Sequence, residues 1–281
     1  MGLRAGIDLL RPANCIMIGF AVVVGFFVSR PAQVNAVQAT LGFMTGFFFT
    51  AYSMTVNDIY DIEVDKVNRP DRPIPSGRIS KQLATRLSVA VLTAGVAATV
   101  LSLRPEAVAI AIAYGFLSWL YNRAAKQTGL LGNLIVASSL AIPFVYGGVV
   151  AGGDLTGSLL LLMALTAFFS GVGREVVKAM ADVEGDAKRG VNSVARVRGL
   201  KAAAYVGAAF FLLAVLASWM PLLLGLANHI YTFGVVIPDA IFAYLAVSIV
   251  RGFEPANAHR VKRIALAGMA VGLLVFVGGA F

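Results

Sequence analysis

Long apolar runs, interrupted by short polar stretches, make up almost the whole chain. They cover roughly 13–28, 36–56, 83–102, 106–121, 131–150, 156–177, 201–219, 230–250 and 264–281. Each is close to the ~20 residues that an α-helix needs to cross about 30 Å of hydrocarbon. A spanning backbone must satisfy its own polar groups, and the alternating ten-residue pattern of barrel strands is absent, so helices are the predicted elements. The pattern predicts an all-α, polytopic membrane protein with nine transmembrane helices, and one domain over residues 1–281.

Composition agrees. Of 281 residues, 59% are hydrophobic and only 13% charged, where soluble domains carry about one quarter; mean hydropathy is +0.83. With the N-terminus in the cytoplasm, all 23 Lys and Arg except Arg30 and Arg104 fall on the cytoplasmic side, as the positive-inside rule requires. Nine spans then leave the C-terminus outside. The net charge of +9 therefore orients the chain and can attract anionic lipids or substrates; it does not call for a nucleic-acid partner. Arg4 and Arg11 ahead of an apolar run also fit a secretory signal, but removing that run would break the charge alternation. The single Cys15 cannot form an internal disulfide and is read as packing. His229 and His259 fall on opposite membrane faces, without a Cys partner, and are read as interface residues rather than a zinc pair.

Small residues are frequent, with 29 Gly. "GFMTG" (42–46) and "GMAVG" (268–272) have the spacing that lets helices approach closely. Packing within one bundle is the expected use, a homodimer contact the alternative; the oligomeric state stays open.

Polarity is concentrated after spans two and six. Apart from Glu106, Asp154 and Asp239, all 14 acidic residues lie on the assigned cytoplasmic side. If span two continues as helix, Asn57, Asp61 and Asp65 share one face, because each step of four turns only about 40°. Asp58 sits at the edge of that face. Asp182 and Asp186 repeat the spacing after span six, while Glu184 points elsewhere. Stacked carboxylates repel, and a hard cation such as Mg²⁺ relieves this; Mg²⁺ commonly shares its shell between one or two carboxylates and substrate phosphates. Two such clusters across a cavity could hold a diphosphate through bridging metal ions. Lys66, Arg69 and Arg72 on one side, and Arg174, Lys178, Lys188 and Arg189 on the other, would complete the clamp. Solvated loop charges paired among themselves are the plainer reading of one cluster; the repeated periodicity argues for the clamp. Pro70, Pro73, Pro75 and Gly77 predict a rigid loop over the cytoplasmic mouth.

These segments resemble the UbiA superfamily of intramembrane prenyltransferases. "NDIYDIEVD" matches its Asn-Asp-x-x-Asp-x-x-x-Asp motif and "DVEGD" its Asp-x-x-x-Asp motif; "RPANC", "NRPDRPIPSG" and "LYNRAAKQTGLLGN" are also similar to family segments. The likeness spans nearly the whole chain. It implies nine helices around a central cavity open to lipid, and an isoprenyl diphosphate donor bound through Mg²⁺, two ions, held by Asn57, Asp58, Asp61, Asp65, Asp182 and Asp186. It implies catalytic roles for Asp61, Asp65, Asp182 and Asp186. Arg69, Arg72, Lys126 and Lys178 would serve the diphosphate, with Tyr121 nearby, and Arg11, Asn14 and Arg174 would join the substrate-binding set. The diphosphate leaves, an allylic carbocation forms in a dry chamber, and an acceptor is alkylated. One departure stands out: Ala179 occupies a position where many relatives carry Asp.

"RPANC" and "GREVVKAMADVEGD" look most like the archaeal-type ether-lipid branch, whose acceptor is geranylgeranylglyceryl phosphate. That acceptor carries its own phosphate, for which Arg11, Arg123, Lys126 and Arg174 are available. An aromatic acceptor of the 4-hydroxybenzoate type is the alternative. A transporter is the remote one, and Asp239, after Pro238 within span eight, is the residue that keeps it in view. It could instead pair with a neighbouring helix.

Overall fold

The computed structural model describes residues 3–29, 34–153, 158–188 and 190–279. Among them every regular element is helical: α1 (Leu3–Leu10), α2 (Pro12–Val28), α3 (Ala36–Tyr60), α4 (Ile62–Asn68), α5 (Lys81–Leu101), α6 (Pro105–Arg123), a 3₁₀ turn (Ala125–Thr128), α7 (Leu130–Ala151), α8 (Ser158–Ala181), α9 (Val183–Lys188), α10 (Val194–Leu223), α11 (His229–Gly234), α12 (Val236–Arg251) and α13 (Pro255–Gly279). Arg30, Asp154 and Arg189 lie outside the described residues, as does the side chain of Lys188.

Local chemistry sets the boundaries. Pro12 and Pro105 occupy first-turn positions of α2 and α6, where a missing N–H costs nothing. Asn35, Ser80 and Asn228 cap α3, α5 and α11 through their side-chain oxygens, satisfying amides that no helix partner reaches. Gly152 ends α7 in the left-handed region at φ 61°, which glycine adopts without strain.

Among the described residues each predicted apolar run coincides with a long helix, except that 230–250 is divided between α11 and α12. By length and apolarity six helices, counting α11 with α12 as one, can cross a membrane, and α1 with α2, bent by 45°, would make a seventh. The helices α3 and α6 are long enough but carry Gln, Thr, Ser and Asn along their length, so they do not qualify alone. Of these polar residues, Thr45, Thr55 and Asn122 are buried.

The helices pack as a ring. Its order is α2, α3, the α5/α6 pair, α7, α8, α10, α12 and α13, with α13 closing on both α8 and α2. Glycines allow the closest approaches. A Cβ at Gly147 would overlap the carbonyl of Val22, and one at Gly25 that of Phe144, so α2 and α7 meet backbone to backbone. Gly42 and Gly46 face Val22 of α2, and Gly268 faces Ile241 and Phe242 of α12. Both Gly-x-x-x-Gly segments thus make contacts inside the bundle. Cys15 is buried and donates to the carbonyl of Leu10 at 3.1 Å. His229 and His259 are exposed.

An apolar chamber of about 140 Å³ opens between α2, α7, α8, α10, α12 and α13. Met17, Phe144, Phe242 and Phe276 contribute its walls, and Arg174 and Asp239 are its charged wall residues. Asp239 is buried and accepts from Ser218 Oγ of α10 at 2.8 and 2.9 Å. The intramembrane acid is therefore paired with a neighbouring helix.

Candidate active site at the ends of α3 and α8

The first acidic motif does not sit on one unbroken helix. α3 stops at Tyr60 and α4 begins at Ile62, with Asp61 between them at φ −91° and ψ 6°. The backbone bonds carry across the joint: Asp61 N donates to Asn57 O at 3.0 Å, and Asp65 N to Asp61 O at 2.8 Å. The expected stack of Asn57, Asp61 and Asp65 survives the break for that reason. The second motif is built alike, with Asp182 between α8 and α9, donating to Lys178 O at 3.1 Å and accepting from Asp186 N at 2.9 Å.

Cations meet the first cluster from three elements. Arg72, from the Pro-rich loop, reaches Asp58 at 3.2 Å and also bonds Asp65. Arg11 bonds Asp58 from the joint between α1 and α2. That joint holds Arg11 in the left-handed region, φ 51° and ψ 64°, which a non-glycine residue adopts at a cost; Pro12 follows it, and the bond to Asp58 holds it there. Lys126, in the 3₁₀ turn, grips both oxygens of Asp61, one at 2.6 Å. Asp58 and Asp65 are buried, as is Asp186. Burial of these carboxylates calls for such partners.

The loop bearing Arg72 is held in turn. Ile74 and Ile79 are buried with Ala5 and Leu9 of α1 and Ala84 of α5, and Ile59 and Ile62 pack on them. Arg78 donates to Asp8 at 2.7 Å and to the carbonyl of Asp71 at 2.7 Å. The "NRPDRPIPSG" segment is thereby a fixed cap across the α1 and α3 ends.

A ladder below Asp61 joins α3 to α6. Asp61 meets Lys126 at 2.6 Å, Asn57 donates to Asn122 at 2.8 Å, and Ser118 donates to Ser53 at 2.8 Å. The rungs are four residues apart on each strand of the ladder, so one helical face of α3 is matched to one face of α6 and its continuation. Turning the Asn57 amide would place its oxygen 3.2 Å from Lys126 Nζ. Asn122, nearly buried, was not singled out by the sequence, although it lies in "LYNR".

On the second side, Arg174, Lys178, Asp182 and Asp186 follow at steps of four along α8 and α9. Glu175 is buried beneath them and accepts from Arg174 at 2.8 Å and Lys178 at 2.9 Å. Lys262 of α13 reaches Asp182 at 3.5 Å. Neither Glu175 nor Lys262 was among the expected site residues.

Other expected residues are less engaged. Arg69 is exposed at the end of α4. Asn14 is exposed in the first turn of α2, with no side-chain hydrogen bond among the described residues. Tyr121 is half-buried, its ring against Gly132. Arg123 stacks over Trp119, 5.1 Å from the ring centroid.

Among the described residues, no three His, Cys, Asp or Glu side chains converge as a ready-made metal cage. The donors present are carboxylate and amide oxygens, at most a pair or so per place. That set fits Mg²⁺, which takes one or two protein carboxylates and fills its octahedron with water and substrate phosphate, and does not fit a softer metal.

A bundle of membrane-length helices, an apolar chamber and two paired acid motifs at one end define a class. The sequence model of the UbiA prenyltransferase family matches residues 18–277, and the chain belongs to that family; it is an intramembrane prenyltransferase. The digeranylgeranylglyceryl phosphate synthase of Archaeoglobus fulgidus is 38% identical over 283 residues, covering 99% of this chain and 96% of that protein. That of Thermococcus kodakarensis is 34% identical, covering 99% and 98%. A solved structure described as digeranylgeranylglyceryl phosphate synthase in membranes has a TM-score of 0.81 at 30% identity, covering 99% and 98%. A UbiA homologue of Archaeoglobus fulgidus, solved with GPP and Mg²⁺, has a TM-score of 0.69 at 19% identity, a likeness of fold.

Proposed function

We propose that the enzyme transfers a geranylgeranyl group from its diphosphate to the free hydroxyl of geranylgeranylglyceryl phosphate, in ether-lipid synthesis. One observation carries the reading. Arg174 is a wall residue of the apolar chamber, and it lies eight residues before Asp182 on the same helical face. A single helix thus leads from a tail-binding space to a diphosphate-binding end. The synthases of Archaeoglobus and Thermococcus, similar over their full length, support the choice of acceptor, and so does the supply of cations beyond those a diphosphate needs.

Asn57, Asp61 and Asp65 would hold one Mg²⁺, and Asp182 and Asp186 a second, with Asp58 beside the first. When bound, Mg²⁺ supplies charge neutralisation as the diphosphate departs. Arg69, Arg72, Lys126 and Lys178 donate to the diphosphate oxygens and stabilise the negative charge that grows on them. The allylic C–O bond breaks, and the acceptor hydroxyl oxygen bonds to the allylic carbon and releases its proton. Arg11 would bind the acceptor's phosphate, and Arg174 would join Lys178 on the diphosphate. Phe144, Phe242 and Phe276 line the chamber and keep out the water that would otherwise capture the cation. The charge bias of the loops supports a site on the cytoplasmic side, with the N-terminus inside and the C-terminus outside.

The test uses purified protein in detergent with Mg²⁺ and radiolabelled geranylgeranyl diphosphate. Label should move into doubly prenylated glycerol phosphate when geranylgeranylglyceryl phosphate is supplied. Label moving only into 4-hydroxybenzoate would overturn the acceptor and leave the donor site as described.

A further inference from the structure

We infer that Glu175 is a positioning residue for the donor diphosphate: it fixes Arg174 and Lys178 on the site face of α8. The inference rests on the functional reading above and adds a part to it. Glu175 is 6% exposed. Its two oxygens are divided, one accepting from Arg174 at 2.8 Å and the other from Lys178 at 2.9 Å. The three residues are not on one face. Arg174 and Lys178 are one turn apart and continue to Asp182 and Asp186, whereas Glu175 is turned about 100° from Arg174.

Its job therefore differs from that of Asp61 or Asp58. The motif carboxylates lie at the helix end, where ligands enter. Glu175 lies within α8, about two turns before Asp182, where a lone carboxylate would be expensive and two cations make it tolerable. Long Lys and Arg side chains lose much rotamer freedom when held. A buried acid that has already immobilised both removes that cost from the binding step. One acid against two cations also leaves net positive charge facing the second motif. This charge is offered just where Ala179 provides no carboxylate, one turn beyond Glu175.

The experiment compares wild type with Glu175→Gln, which keeps shape and removes charge. Inorganic pyrophosphate with Mg²⁺ is titrated by calorimetry, and KM is measured separately for geranylgeranyl diphosphate and for the acceptor. Pyrophosphate affinity is expected to fall about tenfold, donor KM to rise with it, and acceptor KM to stay put. Should Glu175→Gln not yield folded protein, Glu175→Asp is read instead. It keeps the charge but draws it back by one methylene, and a several-fold loss of pyrophosphate affinity is expected. Pyrophosphate affinity equal to wild type in the folded variant, or a rise in acceptor KM alone, overturns the role. If wild type transfers no label to either acceptor, the functional reading fails, and the pyrophosphate comparison still judges Glu175.

Discussion

Asp61 and Asp182 hold the same structural position in two parts of the chain. Each is the single residue between a long helix and a short polar one. Each donates its amide to the carbonyl four residues back, Asn57 at 3.0 Å and Lys178 at 3.1 Å, and accepts from the acid four residues on, Asp65 at 2.8 Å and Asp186 at 2.9 Å. These bonds carry the i, i+4 stacking of the acids across each break. What differs is the cation each meets. Lys126 grips Asp61 closely, and Lys262 reaches Asp182 at 3.5 Å. Asp61 is held more closely than Asp182.

Arg72 is the keystone of the first cluster. It joins Asp58 and Asp65, whose side chains are only 3% and 8% exposed. Arg72→Ala leaves two near-buried like charges with one cation fewer, a loss on the order of 3–5 kcal/mol for a buried pair. A lower thermal midpoint in detergent is the expected result. Arg72→Lys should recover only part, because the shorter side chain does not carry its charge to the point where Arg72 Nη1 meets both carboxylates. A midpoint unchanged in the alanine variant would show that Arg72 is not structural.

The ladder between α3 and α6 makes a separate prediction. Asn122→Ala removes the rung under Asn57 and costs only about 1 kcal/mol of stability, since both neighbouring rungs remain. Catalytic efficiency with the donor should fall more, roughly tenfold, because Asn57 and Lys126 lose their lateral support. Full kcat/KM in a variant that has lost only stability would reduce the ladder to packing.

Gly147 and Gly272 should respond oppositely to an added methyl group. At Gly147 a Cβ overlaps the backbone of α2, whereas at Gly272 its nearest neighbour is Pro238 Cβ at 3.9 Å, an ordinary contact. Gly147→Ala is expected to give little monodisperse protein on gel filtration; Gly272→Ala should elute and melt as wild type does. A well-behaved Gly147→Ala would contradict the close α2–α7 approach.

Much of this was legible beforehand, for identifiable reasons. Apolar runs reveal membrane helices because the bilayer imposes one length and one polarity. The i, i+4 spacing of the acids revealed their common face for the same kind of reason, since it is a property of one helix. Features made by contacts between helices were not legible. Arg69 and Arg72 look alike in "NRPDRP", yet Arg72 enters the acid cluster and Arg69 is exposed. Glu175 reads as one more loop acid, and only packing of α8 buries it. The break at Asp61 left no mark either, because no Gly or Pro stands there. Arg11 is the intermediate case: Pro12 signals a helix start, but the left-handed joint and the reach to Asp58 depend on where α1 and α3 lie.

The central claim is that both acid motifs act together on one diphosphate through Mg²⁺. The most direct test is Mg²⁺-dependent transfer from labelled geranylgeranyl diphosphate by wild type, Asp61→Asn, Asp182→Asn and the double variant. Gel filtration and thermal melting are run on the same samples. Each single substitution is expected to abolish Mg²⁺-dependent turnover in protein that elutes and melts near wild type. A folded double variant with full activity would contradict the account.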